Sequence, residues 1–392
     1  MNQDIIDIRK SLVRAVKEEA KALREKGVNV ISLASGEPDF DTPMKIRKVA
    51  IEHINKGNTH YASGKGLPKL RKEIQKKLEK ENAIIVSEDD ILVTYGAKMA
   101  VYLAVRSCIS KGDEVIIVAP SWVSYSEIVR SSGGVPICLM LDDSDNYTLT
   151  YDKLKAHGSD KTKMVIVCSP NNPTGKILDM DEINDLKKFV IEKDAVVLSD
   201  EVYEKIIFSE KKMISPASVD GLKDRTITVN GFSKTYAMTG WRLGYLAAPS
   251  NYIAIMNKLH IHTHTGTCPF IQEAAIAAFL CEDEVENMRK QYEKRRDLFL
   301  SKLNTIPHLK VIMPEGAFYA WVRFDIPNMD SMQFALWLLK EAHVLGIPGR
   351  AYGEKCDNFI RFSFASSLQN LLDAAERIAV LMEKYDADNT KK

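Results

Sequence analysis

The chain has 392 residues, 45% of them hydrophobic, with 54 Lys and Arg against 53 Asp and Glu for a net charge of +1. That length supports a large buried core and two or more domains. The charge balance gives no footing for a nucleic-acid or acidic-membrane partner.

The first ten residues are polar and mixed in charge, and no stretch of the sequence is long and apolar enough to cross a bilayer, so a cytoplasmic protein is expected. A helix is expected over 10–26, and the charged run 69–80 reads as a solvated helix face. From there apolar runs alternate with amphipathic segments, the pattern of a mostly parallel α/β sheet. The expected strands are Ile91–Thr94, Glu114–Val118, Val135–Leu139, Met164–Cys168, Ala195–Ser199, Thr226–Val229 and Gly244–Ala247. They are short and rich in Val and Ile, as a sheet covered on both faces requires. Helices are expected at Lys98–Ile109, Val123–Ser131 and Met180–Lys193. Past about Leu280 the texture changes. A long charged helix, Glu282–Asn304, leads into strands at Val311–Met313, Ala317–Arg323 and Phe359–Phe364, and into helices near Ser331–Ala342 and from Leu368. The reading is an N-terminal arm at 1–40, a large domain at 41–284 and a smaller α+β domain at 285–392.

The six cysteines are scattered without a CxxC pair, which favours reduced thiols over disulfides or metal ligation. His260, His262 and His264 alternate, but no carboxylate or cysteine joins them at ligand spacing, so they are read as surface or interface residues and no metal is expected.

The chemistry-bearing segments follow strand ends, where ligands bind in open α/β sheets. Ser233-Lys234 comes just after the strand Thr226–Val229. A desolvated lysine amine there suits nucleophilic catalysis. Arg242, eight residues on, can grip a phosphate in a bidentate way; the plain alternative is a surface lysine and a salt-bridged arginine. Asp200 and Tyr203 follow the strand Ala195–Ser199, where a carboxylate can pair with a protonated ring nitrogen or simply cap a helix. Asn172, between Asn171 and Pro173, is either part of a tight turn or a rigidly held amide facing a ligand. Gly96 and Ala97 open a helix whose N–H groups can receive an anion, although no GxGxxG fingerprint follows any strand. Trp122 can stack on a flat ring, and Tyr61 lies in a loop rich in Gly and Ser.

Taken together these segments resemble the fold-type I pyridoxal-phosphate enzymes, the class I/II aminotransferases. Gly36-Glu37-Pro38-Asp39-Phe40, Tyr61 with Gly66-Leu67-Pro68, Gly96-Ala97-Lys98, Trp122, Asn172-Pro173-Thr174-Gly175, Asp200 with Tyr203, Ser233-Lys234, Arg242 and Arg361 stand in the family's order, from about residue 10 to about 380. The resemblance implies a large domain with a mostly parallel seven-stranded sheet plus a smaller C-terminal domain. It implies a homodimer with shared active sites and pyridoxal 5'-phosphate as cofactor. It implies that Lys234 holds the cofactor covalently and moves the substrate's α-proton. Asp200 is implied at the ring nitrogen, Tyr203 and Asn172 at the ring oxygen, and Trp122 against the ring. Gly96, Ala97, Ser233 and Arg242 are implied at the phosphate, with Tyr61 reaching the neighbouring subunit's phosphate. Arg361, aided by the Gly36 backbone and Asn172, is implied at the substrate α-carboxylate. Some members carry a hydroxyl three residues before the lysine; here that residue is Gly231.

The wording at 36–43, 121–125 and 238–242 is similar to that of the prokaryotic aspartate aminotransferase branch. There a lysine in the place of Lys98 takes the distal carboxylate, which implies aspartate and glutamate as donors with a 2-oxo acid as acceptor. The branch often has a threonine within 9–16, where Val13 is nearest here. An aminotransferase for aromatic or other amino acids, or a β-lyase on the same fold, shares the cofactor residues and stays open.

Overall fold

The structure, a computed structural model, describes residues 6, 8, 12–208 and 210–389, with Val13 described for its backbone alone. Its centre is a seven-stranded sheet built from β2 (Ile91–Thr94), β3 (Glu114–Ala119), β4 (Val135–Met140), β5 (Thr162–Cys168), β6 (Val196–Asp200), β7 (Thr226–Gly231) and β8 (Gly244–Ala247). The order is β2-β8-β7-β6-β5-β3-β4. β8 runs antiparallel to both of its neighbours, and the other pairs are parallel. The fold class expected from sequence is therefore present. Seven strands stand where the Val and Ile runs put them, with ends shifted by a residue or two.

The residue types explain the layers. In β5, Val165, Ile166 and Val167 are almost wholly buried, and so are Val197 and Leu198 in β6. Each such side chain contributes roughly 1.5–3 kcal/mol relative to exposure. β4 carries Pro136 and leaves Val135 exposed, which fits its place at the edge, where a missing N–H costs no ladder bond.

A second sheet, antiparallel in its pairings, comprises β9 (Leu309–Ile312), β10 (Tyr319–Phe324), β12 (Ile347–Pro348) and β13 (Phe359–Ser363), in the order β12-β13-β10-β9. At its heart Trp321 is fully buried, stacks on Phe359 at 4.8 Å and donates its indole N–H to the Tyr147 hydroxyl at 2.9 Å. A buried tryptophan needs such a partner, and here the bond ties the small sheet to the segment after β4.

Near the N-terminus, β1 (Ile31–Ser32) pairs in parallel with β11 (Val344–Leu345). The Ser363 N–H donates to the Leu33 carbonyl at 2.7 Å. The helix Leu12–Glu25 buries Val16 and Ala20 and packs on β11 and β12. These contacts hold 34–37 beside the end of β13. The short pairing of β1 with β11 spans more than 300 positions of sequence and has no local signal.

Two expectations need correction. The run 69–80 falls in the helix Pro68–Asn82, and one face of it is buried through Leu70, Arg71, Ile74, Lys77 and Leu78. Lys77 pairs there with Glu204, while Asn82 Nδ2 donates to Glu204 at 2.7 Å. The charges are tolerated inside because they are paired. His260 is not a surface residue: it is fully buried in the helix Ser250–His264 and stacks on His264 at 5.7 Å.

Lys77→Ala leaves the Glu204 carboxylate buried without its cation. It is expected to cost about 3–5 kcal/mol of stability, read as a lowered denaturation midpoint in urea, while the surface substitution Lys72→Ala shifts the midpoint little.

Candidate active site

The carboxyl ends of β5, β6 and β7 and the turn after β2 open into one cavity of about 620 Å³. Its lining includes Gly36, Ala97, Lys98, Trp122, Asn172, Asp200, Tyr203, Ser233, Lys234, Arg242 and Arg361, which brings together almost every residue singled out from sequence. Gly96 lies just behind the lining, at the head of the helix Ala97–Cys108. Tyr61 is not part of the cavity and is 93% exposed.

Lys234 sits in the single-turn helix Phe232–Thr235 that follows β7, and its Nζ donates to the Gly36 carbonyl. Burial is the main influence on this amine. Glu37 and Asp200 oppose it, Arg361 and Arg242 add to it, and the pKa falls to about 8. Thr239 Oγ1 donates to Glu37 at 2.9 Å and fixes the carboxylate with the larger influence on the amine.

Asp200 ends β6 and is almost wholly buried. Burial raises its pKa, opposed by the Tyr125 hydroxyl, which donates to Oδ2 at 2.6 Å, and by the Val202 N–H, which donates to Oδ1 at 3.3 Å. The Tyr203 hydroxyl shares a 2.8 Å hydrogen bond with the Tyr319 hydroxyl.

Arg361, in β13, is 5% exposed. It donates to Asn172 Oδ1 at 3.0 Å and to the Ala34 carbonyl at 3.2 Å, and lies 4.2 Å from the Tyr319 ring centre. Its Nε, buried, has no hydrogen-bond partner among the described residues.

On the opposite wall Arg242 takes a left-handed backbone (φ 54), which costs a non-glycine residue strain. Its guanidinium donates to the Thr239 carbonyl at 2.9 Å and crowds Gly96, where a Cβ would meet Nη2 at 2.7 Å. Lys98 is exposed to the cavity and lies 4.8 Å from the Trp122 ring centre. Partial burial, with Arg242 nearby, lowers its pKa.

The missing hydroxyl at Gly231 has a packing reason. Gly231 pairs with Gly244 across β7 and β8, and a Cβ on Gly231 would come within 3.2 Å of the Gly244 Cα. A Cβ on Gly244 would in turn meet the Ala97 nitrogen at 2.5 Å. The helix start thus rests directly on the strands.

Sequence reasoning missed Tyr125, Tyr319, Tyr352, Glu37, Thr239 and Lys17, all of which line the cavity. Tyr125, Glu37 and Thr239 stood inside quoted motifs, but nothing local marked them as facing Asp200 or Lys234.

The lining fits the phosphate ester of a pyridine aldehyde. A nucleophilic amine and a buried carboxylate face one space, and a guanidinium stands beside a helix N-terminus whose first N–H groups lack intrahelical partners. The profile of the family "Aminotransferase class I and II" matches residues 28–378. The chain belongs to the class I and II aminotransferases. It is an enzyme of amino-group transfer that depends on pyridoxal 5'-phosphate, with amino acids and 2-oxo acids as its substrate class.

It is 42% identical to the aspartate aminotransferase of Pyrococcus abyssi over 91% of this chain and 92% of that one. Among solved structures, the aspartate aminotransferase of Thermus thermophilus with maleate is 34% identical, with a TM-score of 0.91 over 97% of this chain and 98% of that one. The aromatic aminotransferase of Pyrococcus horikoshii is 41% identical, with a TM-score of 0.89 over 94% of this chain and 99% of that one.

In the cofactor-free aminotransferase the Lys234 amine is expected to become half neutral at about pH 8. Because its pKa is lowered, the reactive neutral form accumulates as pH rises through that value, whereas ordinary surface lysines need a pH near about 10.4. Competitive acetylation across a pH series, read by peptide mass spectrometry, gives each midpoint. A Lys234 midpoint with the surface lysines would contradict a pKa lowered by burial.

Proposed function

We propose that this aminotransferase moves the amino group of an L-amino acid, with aspartate and glutamate preferred, to a 2-oxo acid by a ping-pong mechanism. The observation that carries the dicarboxylate preference is the pairing of cations across one cavity. Arg361 has an unused buried Nε, and Lys98 forms no ion pair with any described residue. Two carboxylates of one substrate satisfy both.

Pyridoxal 5'-phosphate, when bound, supplies the electron sink for bond breaking at the substrate α-carbon. In this reading Arg242, Ser233 and the N–H groups at Gly96 and Ala97 take its phosphate. Asp200 takes the ring nitrogen, and Tyr125 holds that carboxylate in place. Tyr203 and Asn172 take the ring oxygen, and Trp122 covers a ring face. Lys234 Nζ anchors the cofactor and then carries the proton away from the substrate α-carbon; an amine with a lowered pKa is suited to both tasks. Arg361 and Asn172, with the Gly36 backbone, fix the α-carboxylate.

Residues 41–284 are read as the cofactor-binding domain, 285–392 as the small domain and 1–40 as an arm. Tyr61 is assigned to a partner subunit's phosphate in a homodimer. Its full exposure outside its own cavity supports that, as does the packing of its loop on the end of the helix Ser250–His264, where a Cβ on Gly64 would meet Ile261 at 2.8 Å. A cytoplasmic location remains the reading of the sequence.

The aromatic aminotransferase among the similar structures makes an aromatic donor the main second reading, favoured locally by Trp122, Tyr319 and Tyr352 in the lining. A panel of amino donors and 2-oxo acids separates the two, and release of pyruvate without an acceptor would mark a lyase. Lys98→Ala is expected to lower kcat/KM for aspartate by about 1–2 kcal/mol, between the values for an exposed and a buried charge partner. It should change phenylalanine little. A panel in which phenylalanine outranks aspartate, or a Lys98→Ala loss equal for both donors, would overturn the dicarboxylate preference.

A further inference from the structure

The cavity is lined by five cationic side chains, Lys17, Lys98, Lys234, Arg242 and Arg361, against two carboxylates, Glu37 and Asp200. Four of the five have tasks in the proposed function: the amine chemistry, the phosphate, the α-carboxylate and the distal carboxylate. Lys17 has none.

Lys17 lies in the helix Leu12–Glu25, next to the buried Val16 that seats this helix, and it is exposed. On the same helix Arg14 pairs with Glu18 at 2.8 Å and Lys21 with Glu25 at 3.7 Å. Lys17 forms no ion pair with any described residue. Glu37, the exposed carboxylate of the lining, is already engaged by Thr239. The helix packs on β11 and β12, on the small-sheet side, whereas Lys98 lies in the first turn of the helix that follows β2 in the large sheet. The two lysines therefore reach the lining from different elements.

We infer that Lys17 is a specificity-determining residue that receives the distal anion of dicarboxylate substrates longer than aspartate, giving the cavity a second docking cation beyond Lys98. The inference rests on the dicarboxylate reading and deepens it. A C4 substrate held at Arg361 uses Lys98 alone. Each added methylene carries the distal carboxylate further from the α-carbon. Because Lys17 is solvent-exposed, its contribution is modest and salt-sensitive.

The test is steady-state kinetics of the holoenzyme with aspartate, glutamate, 2-aminoadipate and norleucine, the last matching 2-aminoadipate in length without the distal charge. At low salt Lys17→Gln is expected to raise KM for 2-aminoadipate by about 3- to 5-fold, the size an exposed charge contact supports. Glutamate should move less and aspartate least, with kcat unchanged. Lys17→Glu should enlarge the effect, Lys17→Arg should restore the wild-type values, and high salt should flatten the differences. Norleucine should not respond to Lys17→Gln. Equal KM changes for 2-aminoadipate and norleucine, or no change for either, would overturn the inference while wild-type preference for aspartate over phenylalanine stands. A wild-type enzyme that prefers phenylalanine and norleucine to the dicarboxylates would instead remove the reading on which the inference rests.

Discussion

Positive charge is concentrated where the ends of β5, β6 and β7 meet the start of the helix Ala97–Cys108, and only two carboxylates of the lining answer it. Like charges facing one cavity oppose each other, and at Lys234 and Lys98 the neighbouring arginines add to burial, the larger cause, in favouring the neutral form. Burial and the two arginines lower the Lys234 pKa to about 8, and Arg242 adds to the lowering at Lys98. The same imbalance makes the cavity a receptor for anions. A phosphate and one or two substrate carboxylates neutralise the guanidinium and ammonium groups that folding brought together. Burial prepares the nucleophile and the unbalanced cations prepare the binding site, within one cavity.

The scaffold supports this by close approach. Gly231 and Gly244 face each other across β7 and β8, and the absent side chain at Gly244 lets the Ala97 nitrogen come down onto the sheet. Arg242 accepts a left-handed backbone beside it. From the other side, the pairing of β1 with β11 and the bond from Ser363 to Leu33 set Ala34 next to Arg361 and Gly36 next to Lys234. The active site is thus closed by two sheets that are distant in sequence, and the Trp321 to Tyr147 hydrogen bond helps hold them in register.

What could be read from sequence follows from how local each signal is. The strands of the large sheet were legible because sheets covered on both faces demand continuous Val and Ile. Lys234, Asp200, Asn172 and Arg361 were legible through motif wording at strand ends. Tyr125 was not, because its partner Asp200 lies 75 positions away and only the sheet order brings the hydroxyl to the carboxylate. Lys17 was hidden for a similar reason: a lysine on a charged helix looks solvated until tertiary packing turns that helix toward the cavity. Burial misled in the opposite direction at His260 and along 69–80, where polarity suggested solvent and the structure supplies ring stacking or buried ion pairs. The side chain of Val13, the position compared with the branch's threonine, lies outside the described part of the chain.

In the proposed reaction the amine at the end of β7 is the one that engages the cofactor. Borohydride reduction of the purified holoenzyme, followed by peptide mapping, reads this directly. The phosphopyridoxyl group is expected on Lys234; its recovery on Lys98, Lys17 or any other lysine would rule out that amine as the anchor.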